Sequence, residues 1–347
     1  MKIKLSPEGF FEAIAKMSGK LPLPLLETYY GGAYSRTLIA ALRLGIIEEL
    51  KECPKGADEI AKNRNYSYEG VRTLLNALAG FGYINKKNNL FVLNGISKRW
   101  LIKDSPESMV DSILFVGYVF DIMNKIEEII KTGNVPEFHS SDKPKIFWKT
   151  YMRSLAKFAK LTAHEIVKKS IYKAGEPKRL LDVGGGHGIY SVAFCKKFPY
   201  LKADILDFPM AVDVGKKIVR EEGYDDRIKF IEGNMLKDDW GHNYDMVLLF
   251  NVIHTVSKEE SQLLIKKAYN ALSRGGSLLL LDSENTEGSA NISATTGFNE
   301  LMFYVITGKC TYPEIEIIKW MEKSGFFKVT KRHLLAMPMS LYLIAFK

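Results

Sequence analysis

Cysteine is scarce in this chain of 347 residues: three are present, Cys53, Cys195 and Cys310. They are far apart and form neither a Cys-x-x-Cys pair nor a disulfide framework, which argues against a disulfide-stapled secreted scaffold and suits a reducing cytoplasm. The six histidines are equally scattered, so no zinc cluster and no metal site is expected. No apolar run approaches the roughly 18 residues that cross a bilayer, so no membrane association is expected. The start, Met1-Lys2-Ile3-Lys4-Leu5-Ser6-Pro7-Glu8, has no long apolar segment after its charges and does not read as a signal peptide. A cytoplasmic location is the resulting expectation. Blocks of like charge are missing too. The net charge is +9, but the lysines are spread along the chain, as on a solvated surface rather than a nucleic-acid footprint.

What is present is ordinary globular composition, with 46% hydrophobic and 26% charged residues, on a chain long enough for two domains. Residues 1–105 read as mostly helical. Leu38, Ala41, Leu42, Leu44 and Ile47 recur at helical spacing within Tyr34 to Leu50. A short helix follows at Lys55 to Ala61, and another at Val71 to Phe81, with Ser67 and Gly70 in its cap region. Gly82 to Leu93 reads as two strands around a polar Asn/Lys turn. Helix, helix, hairpin is a winged-helix pattern. Such modules often bind DNA through the second helix, but that helix carries only Arg72 as a clear phosphate-pairing cation, so nucleic acid is not the favoured partner. Residues 106–347 form the second domain. Within it, residues 106–170 make a helical bridge: an apolar segment from Met109 to Ile130, a stop at Gly133 and Pro136, then an aromatic and basic segment from Phe147 to Lys168. Phe147, Trp148, Tyr151 and Met152 are candidates to line a substrate pocket, with a core aromatic cluster as the other reading. Met302 and Phe303 are further pocket candidates.

From Arg179 onward strand and helix alternate, which predicts a mostly parallel sheet. The first strand, Leu180 to Val183, runs into Gly184-Gly185-Gly186-His187-Gly188 and then the helix Ile189 to Phe198. A strand, a glycine turn and a helix N-terminus make a nucleotide pocket, because glycine lets the backbone approach a ligand and the helix end offers unpaired N–H groups. The spacing is Asp182-x-Gly184-x-Gly186-x-Gly188. It is neither the dinucleotide fingerprint, which would need glycine where Ile189 stands, nor a P-loop, which would need Lys-Ser/Thr. Asp207 ends the next strand, 21 positions beyond Gly186, where an acid would hold a ribose diol. The remaining strands are expected at Ile228 to Ile231, Met246 to Phe250 and Ser277 to Asp282. Phe326 to Arg332 and Leu341 to Phe346 are joined by too short a loop for a parallel crossover and should be antiparallel neighbours. Ligands of such sheets bind outside the carboxyl ends of the strands, so Asp182, Asp207, Asn234, His254 and Asp282 should converge. His254 follows the apolar strand ending at Phe250 and is the best-placed general base, with Asp282 and Glu314 as candidate carboxylates to orient it.

The glycine pattern resembles motif I of the class I S-adenosylmethionine (SAM) methyltransferases. The whole chain resembles the winged-helix-containing O-methyltransferases, the group of plant phenolic and acetylserotonin O-methyltransferases and bacterial polyketide and phenazine relatives. Residues 30–105 resemble their dimerisation domain and residues 105–347 their catalytic domain. The resemblance implies an α/β fold: a Rossmann-like seven-stranded SAM-methyltransferase domain behind a mainly α winged-helix dimerisation domain. It implies SAM as cofactor, S-adenosylhomocysteine (SAH) as product, a homodimer and a small aromatic acceptor. It assigns SAM contacts to the residues matching Gly184, Asp207 and Met235, the base to His254, and the flanking acids to Asp282 and Glu314. With the strand-end residues, the candidate cofactor set is Asp182, Gly184, Gly186, Asp207, Asn234, Met235 and Phe250.

The chain also departs from that pattern. Thr255-Val256 stands where members often have Asp-Trp, Asn234 where an acid commonly contacts the adenine amine, Asp282 where a longer glutamate is usual, and Phe250 where many have a lysine or arginine. C- and N-methylating relatives share the scaffold, so these alternatives stay open, as does a SAM- or DNA-binding regulator without catalysis.

Overall fold

A computed structural model describes residues 6–7, 9–139, 143–170, 175–285, 287 and 292–347. The N-terminal stretch read above for a signal peptide lies mostly outside the described residues, at 1–5 and 8. The chain divides into two compact units, Met1–Tyr118 and Val119–Lys347.

The first unit holds α1 (Phe10–Met17), α2 (Leu23–Arg43), α3 (Ile46–Glu49), β1 (Lys55–Gly56), α4 (Ala57–Arg64), α5 (Tyr68–Gly80), β2 (Ile84–Lys87), β3 (Leu90–Leu93), α6 (Gly95–Trp100) and the start of α7 (Val110–Met123). The helix expected over 34–50 begins earlier, with Pro24 in its first turn, and is cut because Gly45 takes a left-handed φ of 69°. Lys55 and Gly56, expected as helix, pair instead with Phe91 and Leu90 as the edge of a three-stranded sheet. Ser67 caps α5, its Oγ accepting from the Gly70 N–H at 3.3 Å. The hairpin turn sits on Asn88 and Asn89, with φ of 46° and 62°. A two-residue hairpin turn of this hand needs two left-handed residues, and asparagine tolerates that conformation. Ile46, Ile47, Ile60, Leu75 and Leu78 are fully buried in the core of this unit.

In the second unit come α8 (Ile126–Thr132), α9 (Lys145–Lys169), β4 (Arg179–Val183), α10 (Ile189–Lys197), β5 (Lys202–Asp207), α11 (Pro209–Glu221), β6 (Ile228–Glu232), β7 (Tyr244–Phe250), α12 (Lys258–Ala271), β8 (Leu272–Ser283), α13 (Ala294–Thr307), α14 (Glu314–Ser324), β9 (Phe327–Arg332) and β10 (Ser340–Phe346). The apolar segment over 109–130 forms two helices, α7 and α8, and Gly133 ends the second with a φ of 70°.

The seven strands lie in the order β6-β5-β4-β7-β8-β10-β9. The first five are parallel, and β10 runs antiparallel to both β8 and β9, as the short loop between the last two strands required. Leu180, Leu181 and Val183 of β4, Val247 to Leu249 of β7 and Leu278 to Leu281 of β8 are all fully buried, as expected of strands covered on both faces. Register then decides where the site falls. Val183 pairs with Leu206 on one side and Leu249 on the other, and Phe250 pairs with Leu281. The strand ends therefore bring the glycine turn, Asp207, Phe250 and Asp282 to one edge of the sheet. Among the described residues no helix is long and apolar enough to cross a membrane, and no group of side chains could hold a metal ion.

Candidate active site

The turn after β4 is built around two buried acids. Asp182 is 1% exposed; its Oδ2 accepts from the Ser191 hydroxyl at 2.7 Å, and its Oδ1 is buried with no partner. Burial pushes this carboxyl up to about 7, against the Ser191 bond, and the charge of Asp207 adds to the rise. Gly184 takes a φ of +68°, and a Cβ added at Gly185 would stand 2.4 Å from the Asp182 carboxyl carbon. That second contact explains the middle glycine, since no side chain fits between the turn and the acid. The Gly186 N–H donates to Asp207 Oδ2 at 2.8 Å, and the Phe208 N–H donates to Oδ1 at 2.7 Å. Burial still pushes Asp207 up to about 6, with the two backbone bonds opposing it. Two under-neutralised acids beside a glycine turn suit a ligand that brings hydroxyl donors and a positive charge. SAM has both, a ribose diol and cationic ammonium and sulfonium centres, so the residues present fit it.

Asn234 and Met235 follow β6 in a loop held from several sides. The Asn234 N–H donates to Asp238 Oδ2 at 2.7 Å, and its side-chain Oδ1 accepts from the Leu236 N–H at 2.9 Å. The Met235 carbonyl accepts from Trp240 Nε1 at 2.9 Å and Lys267 Nζ at 2.7 Å. With its oxygen engaged in this turn, Asn234 has its amide N–H₂ to offer a ligand as donor. Phe250, at the end of β7, packs edge-on against Tyr190 and Tyr342, with ring centroids 5.0 and 6.2 Å away.

His254 lies in a short 3₁₀ turn, Ile253–Thr255, that leaves the end of β7. Its Nδ1 is 2.7 Å from Asp282 Oδ1, and both residues are buried, at 7% and 3% exposure. A carboxylate takes the imidazole N–H, so this contact puts the proton on Nδ1 and leaves Nε2 as the basic nitrogen. The Phe303 ring stacks on the imidazole with centroids 3.8 Å apart, and Thr307 Oγ1 donates to the His254 carbonyl at 3.3 Å. Met302 stands beside Phe303 on α13, half-buried. Glu314, at the start of α14, meets a different group: its Oε2 is 2.7 Å from Lys331 Nζ, which also reaches Glu284 Oε1 at 3.2 Å. The structure thus joins the histidine to Asp282 and Glu314 to Lys331.

Helix α9 reaches the glycine turn through Met152. Met152 Sδ lies 3.0 Å from where a Gly186 Cβ would be. Phe147, Trp148 and Tyr151 cluster with Phe138 and His139, at ring-centroid distances from 5.0 to 6.2 Å. His139 was not anticipated from sequence. Its Nε2 is 3.1 Å from the Tyr151 hydroxyl, and burial holds its imidazole down at about 4, with the charge of His254 acting in the same sense. A histidine in a loop gives no periodic signal, and its partner is found only once α9 is placed. His187, inside the glycine turn, accepts from the Ile189 N–H at 3.1 Å, and burial lowers it to about 4.

The chain is similar to known proteins in sequence and in fold. An O-methyltransferase domain model matches residues 125–327. A 3-hydroxy-5-methyl-1-naphthoate 3-O-methyltransferase of Streptomyces sahachiroi is 24% identical over 321 residues, covering 89% of this chain and 90% of that protein. An L-tyrosine C(3)-methyltransferase of Streptomyces lavendulae is 26% identical over 297 residues, 80% of each. The crystal structure of human N-acetylserotonin methyltransferase in complex with SAM superposes with a TM-score of 0.81 at 18% identity, covering 93% of this chain and 96% of that one.

Proposed function

The chain belongs to the O-methyltransferase family, whose enzymes are SAM-dependent, and from that premise we propose that it methylates a hydroxyl of a small aromatic acceptor with His254 as general base. The observation that carries this reading is the contact of His254 Nδ1 with Asp282 Oδ1 at 2.7 Å, at the end of a strand that directly neighbours the strand of the glycine turn. SAM, when bound, supplies an electrophilic methyl group on a sulfonium. Asp207 would hold the ribose diol, Asp182 would face positive charge, and the Asn234–Met235 loop would border the adenine. Phe250 would close the floor between them. Asp282 fixes the ring of His254 and stabilises the imidazolium that forms when Nε2 takes the acceptor proton. A phenol of pKa about 10 is mostly protonated at neutral pH, so removing that proton matters. Phe303, Met302 and the α9 cluster would exclude water and orient the ring. Glu314, held by Lys331 at 2.7 Å, would act on this site only indirectly, as a positioning acid. The naphthoate methyltransferase relative supports an aromatic acceptor.

The test is incubation with methyl-deuterated SAM and a panel of phenolic compounds, followed by mass spectrometry and NMR of any product. A labelled methoxy group is expected. The tyrosine C-methyltransferase relative favours a second reading in which an ortho carbon of a phenol is alkylated, and a labelled carbon-bound methyl would establish that instead.

The finer readings extend to assembly and location. The first unit would be a winged-helix-like module that joins two copies. Phe10, Phe11, Met17, Leu25 and Tyr29 are 64–87% exposed, beside a cavity of about 1290 Å³ lined by Leu26, Tyr30, Tyr34, Phe81 and Ile113. A second copy would cover them. Nucleic acid is not the proposed partner, as Arg72 is tied to Glu69 at 2.6 Å. The scattered cysteines, each unpaired, suit the cytoplasm.

A further inference from the structure

We propose that Asn234 and Met235 meet the cofactor's adenine with hydrogen-bond donors only, so that its ring nitrogen N1 is recognised and its exocyclic amine is not. This rests on SAM binding at the glycine turn, as read above, and adds which atoms of the base set the affinity.

Placement follows from the sheet. β4, β5 and β6 are neighbours, and Asp207 at the end of β5 pairs with Glu232 at the end of β6. The Gly233 N–H then donates to the Asp207 carbonyl at 3.0 Å, which holds the loop after β6 against the ribose-holding acid. A nucleoside with its methionyl part at the turn after β4 and its ribose on Asp207 has its base directed toward the next strand end, that of β6. The adenine edge farthest from the sugar bond carries one acceptor, N1, and one donor, the amine.

The oxygens of the two residues are already engaged. The Asn234 carbonyl accepts from the Lys237 and Asp238 N–H groups at 3.0 and 2.9 Å, and the Met235 carbonyl accepts from Trp240 and Lys267. Asn234 Oδ1 accepts from the Leu236 N–H at 2.9 Å. A backbone N–H can only donate, so this bond fixes which end of the carboxamide is oxygen, and its N–H₂ has no partner among the described residues. The backbone gives the second donor. From Gly233 to Asp238, the Met235 N–H is the one without a partner among the described residues. Two free donors therefore stand on adjacent residues. They suit N1, whereas a donor facing the amine gains nothing. An aspartate at 234 would keep the Leu236 bond with one oxygen and offer the other to the amine. Asparagine is its isostere with that acceptor exchanged for a donor.

The experiment is titration calorimetry of the full-length protein with three ligands. They are SAH, its 1-deaza analogue, in which N1 is C–H, and its purine analogue, in which hydrogen replaces the amine. The purine analogue should bind within about threefold of SAH, and the 1-deaza analogue about tenfold more weakly, the scale of one buried hydrogen bond. Asn234→Asp should bind SAH at least about fivefold tighter than the purine analogue, since only this variant gives the amine an acceptor. A loss of about tenfold on removing the amine in the unsubstituted protein, or no loss on removing N1, would each overturn the proposal. So would an Asn234→Asp protein that binds SAH and the purine analogue equally. The comparison of the three ligands on the unsubstituted protein stands without the variant. No methyl acceptor enters these measurements. Transfer to carbon would replace the O-methylation reading and leave the donor rim standing, whereas an amine-dependent affinity would remove the rim and leave SAM binding in place.

Discussion

Gly186 and Asp207, 21 positions apart in sequence, are joined by a backbone N–H bond of 2.8 Å to Oδ2. The bond aims the acid at the mouth of the turn while its burial raises the carboxyl to about 6. Both facts bear on cofactor affinity. Asp207→Ala should weaken SAM binding by about 1.5–3 kcal/mol for each charged hydrogen bond lost, measured by calorimetry. The pH dependence has a defined sign. In the free protein Asp182 and Asp207 hold protons below about 7 and about 6, and a cationic ligand binds their ionised forms. SAM affinity should therefore fall as pH drops through that window, with proton release on binding at pH about 6 that vanishes by about 8. Flat affinity from pH 5 to 8 would count against the assignment.

Gly185→Ala tests the packing of the turn. A Cβ there meets the Asp182 carboxyl at 2.4–2.7 Å, and that acid is already held by Ser191. The acid or the turn must shift. SAM affinity should drop at least about tenfold, since misplaced polar partners each lose on the order of 1 kcal/mol or more. Unchanged affinity would mean that the turn does not hold the cofactor.

Asp282 and Glu314 should behave differently. Asp282 bonds the imidazole directly, so Asp282→Asn should lower turnover by roughly 10- to 100-fold and be non-additive with a histidine substitution. Glu314 is paired with Lys331, so Glu314→Gln should cost about tenfold or less and combine with His254→Ala closer to additively. Steady-state kinetics of the single and double variants separates the two, and a larger loss for Glu314→Gln would reverse the assignment.

Light scattering at micromolar concentration should give twice the chain mass of 39.3 kDa. Glutamate at Phe11 and Tyr29, both more than two-thirds exposed, should shift the equilibrium toward the single chain, because charge on an apolar interface is desolvated at a cost. A single 39.3 kDa species in the unsubstituted protein would contradict the dimer.

The parallel sheet was legible because buried strands are short apolar runs bounded by turn residues, and polar residues at or just past their ends are the natural site candidates. Asp182, Asp207, His254 and Asp282 were found in this way. The antiparallel end of the sheet was legible from loop length alone. Boundaries in the first unit were less so. A single residue, Gly45, divides what periodicity joined, and Lys55–Gly56 becomes a strand only through pairing with β3.

Side-chain partnerships were the least legible part. The spacing between Glu314 and His254 says nothing of Lys331, which arrives from β9, and nothing near His139 in sequence announces Tyr151. Helices α13 and α14 were also unread, although Phe303 on the first of them covers the candidate base.

The most direct test of the account is the turnover of His254→Ala, with SAM affinity measured in parallel. Nε2 is the nitrogen left to accept a proton, and general-base catalysis contributes about 10²–10⁴-fold. The account predicts a loss of turnover of that size with SAM affinity nearly unchanged, because the cofactor groups of Asp182 and Asp207 are untouched. Full turnover by the variant on an acceptor hydroxyl would contradict it.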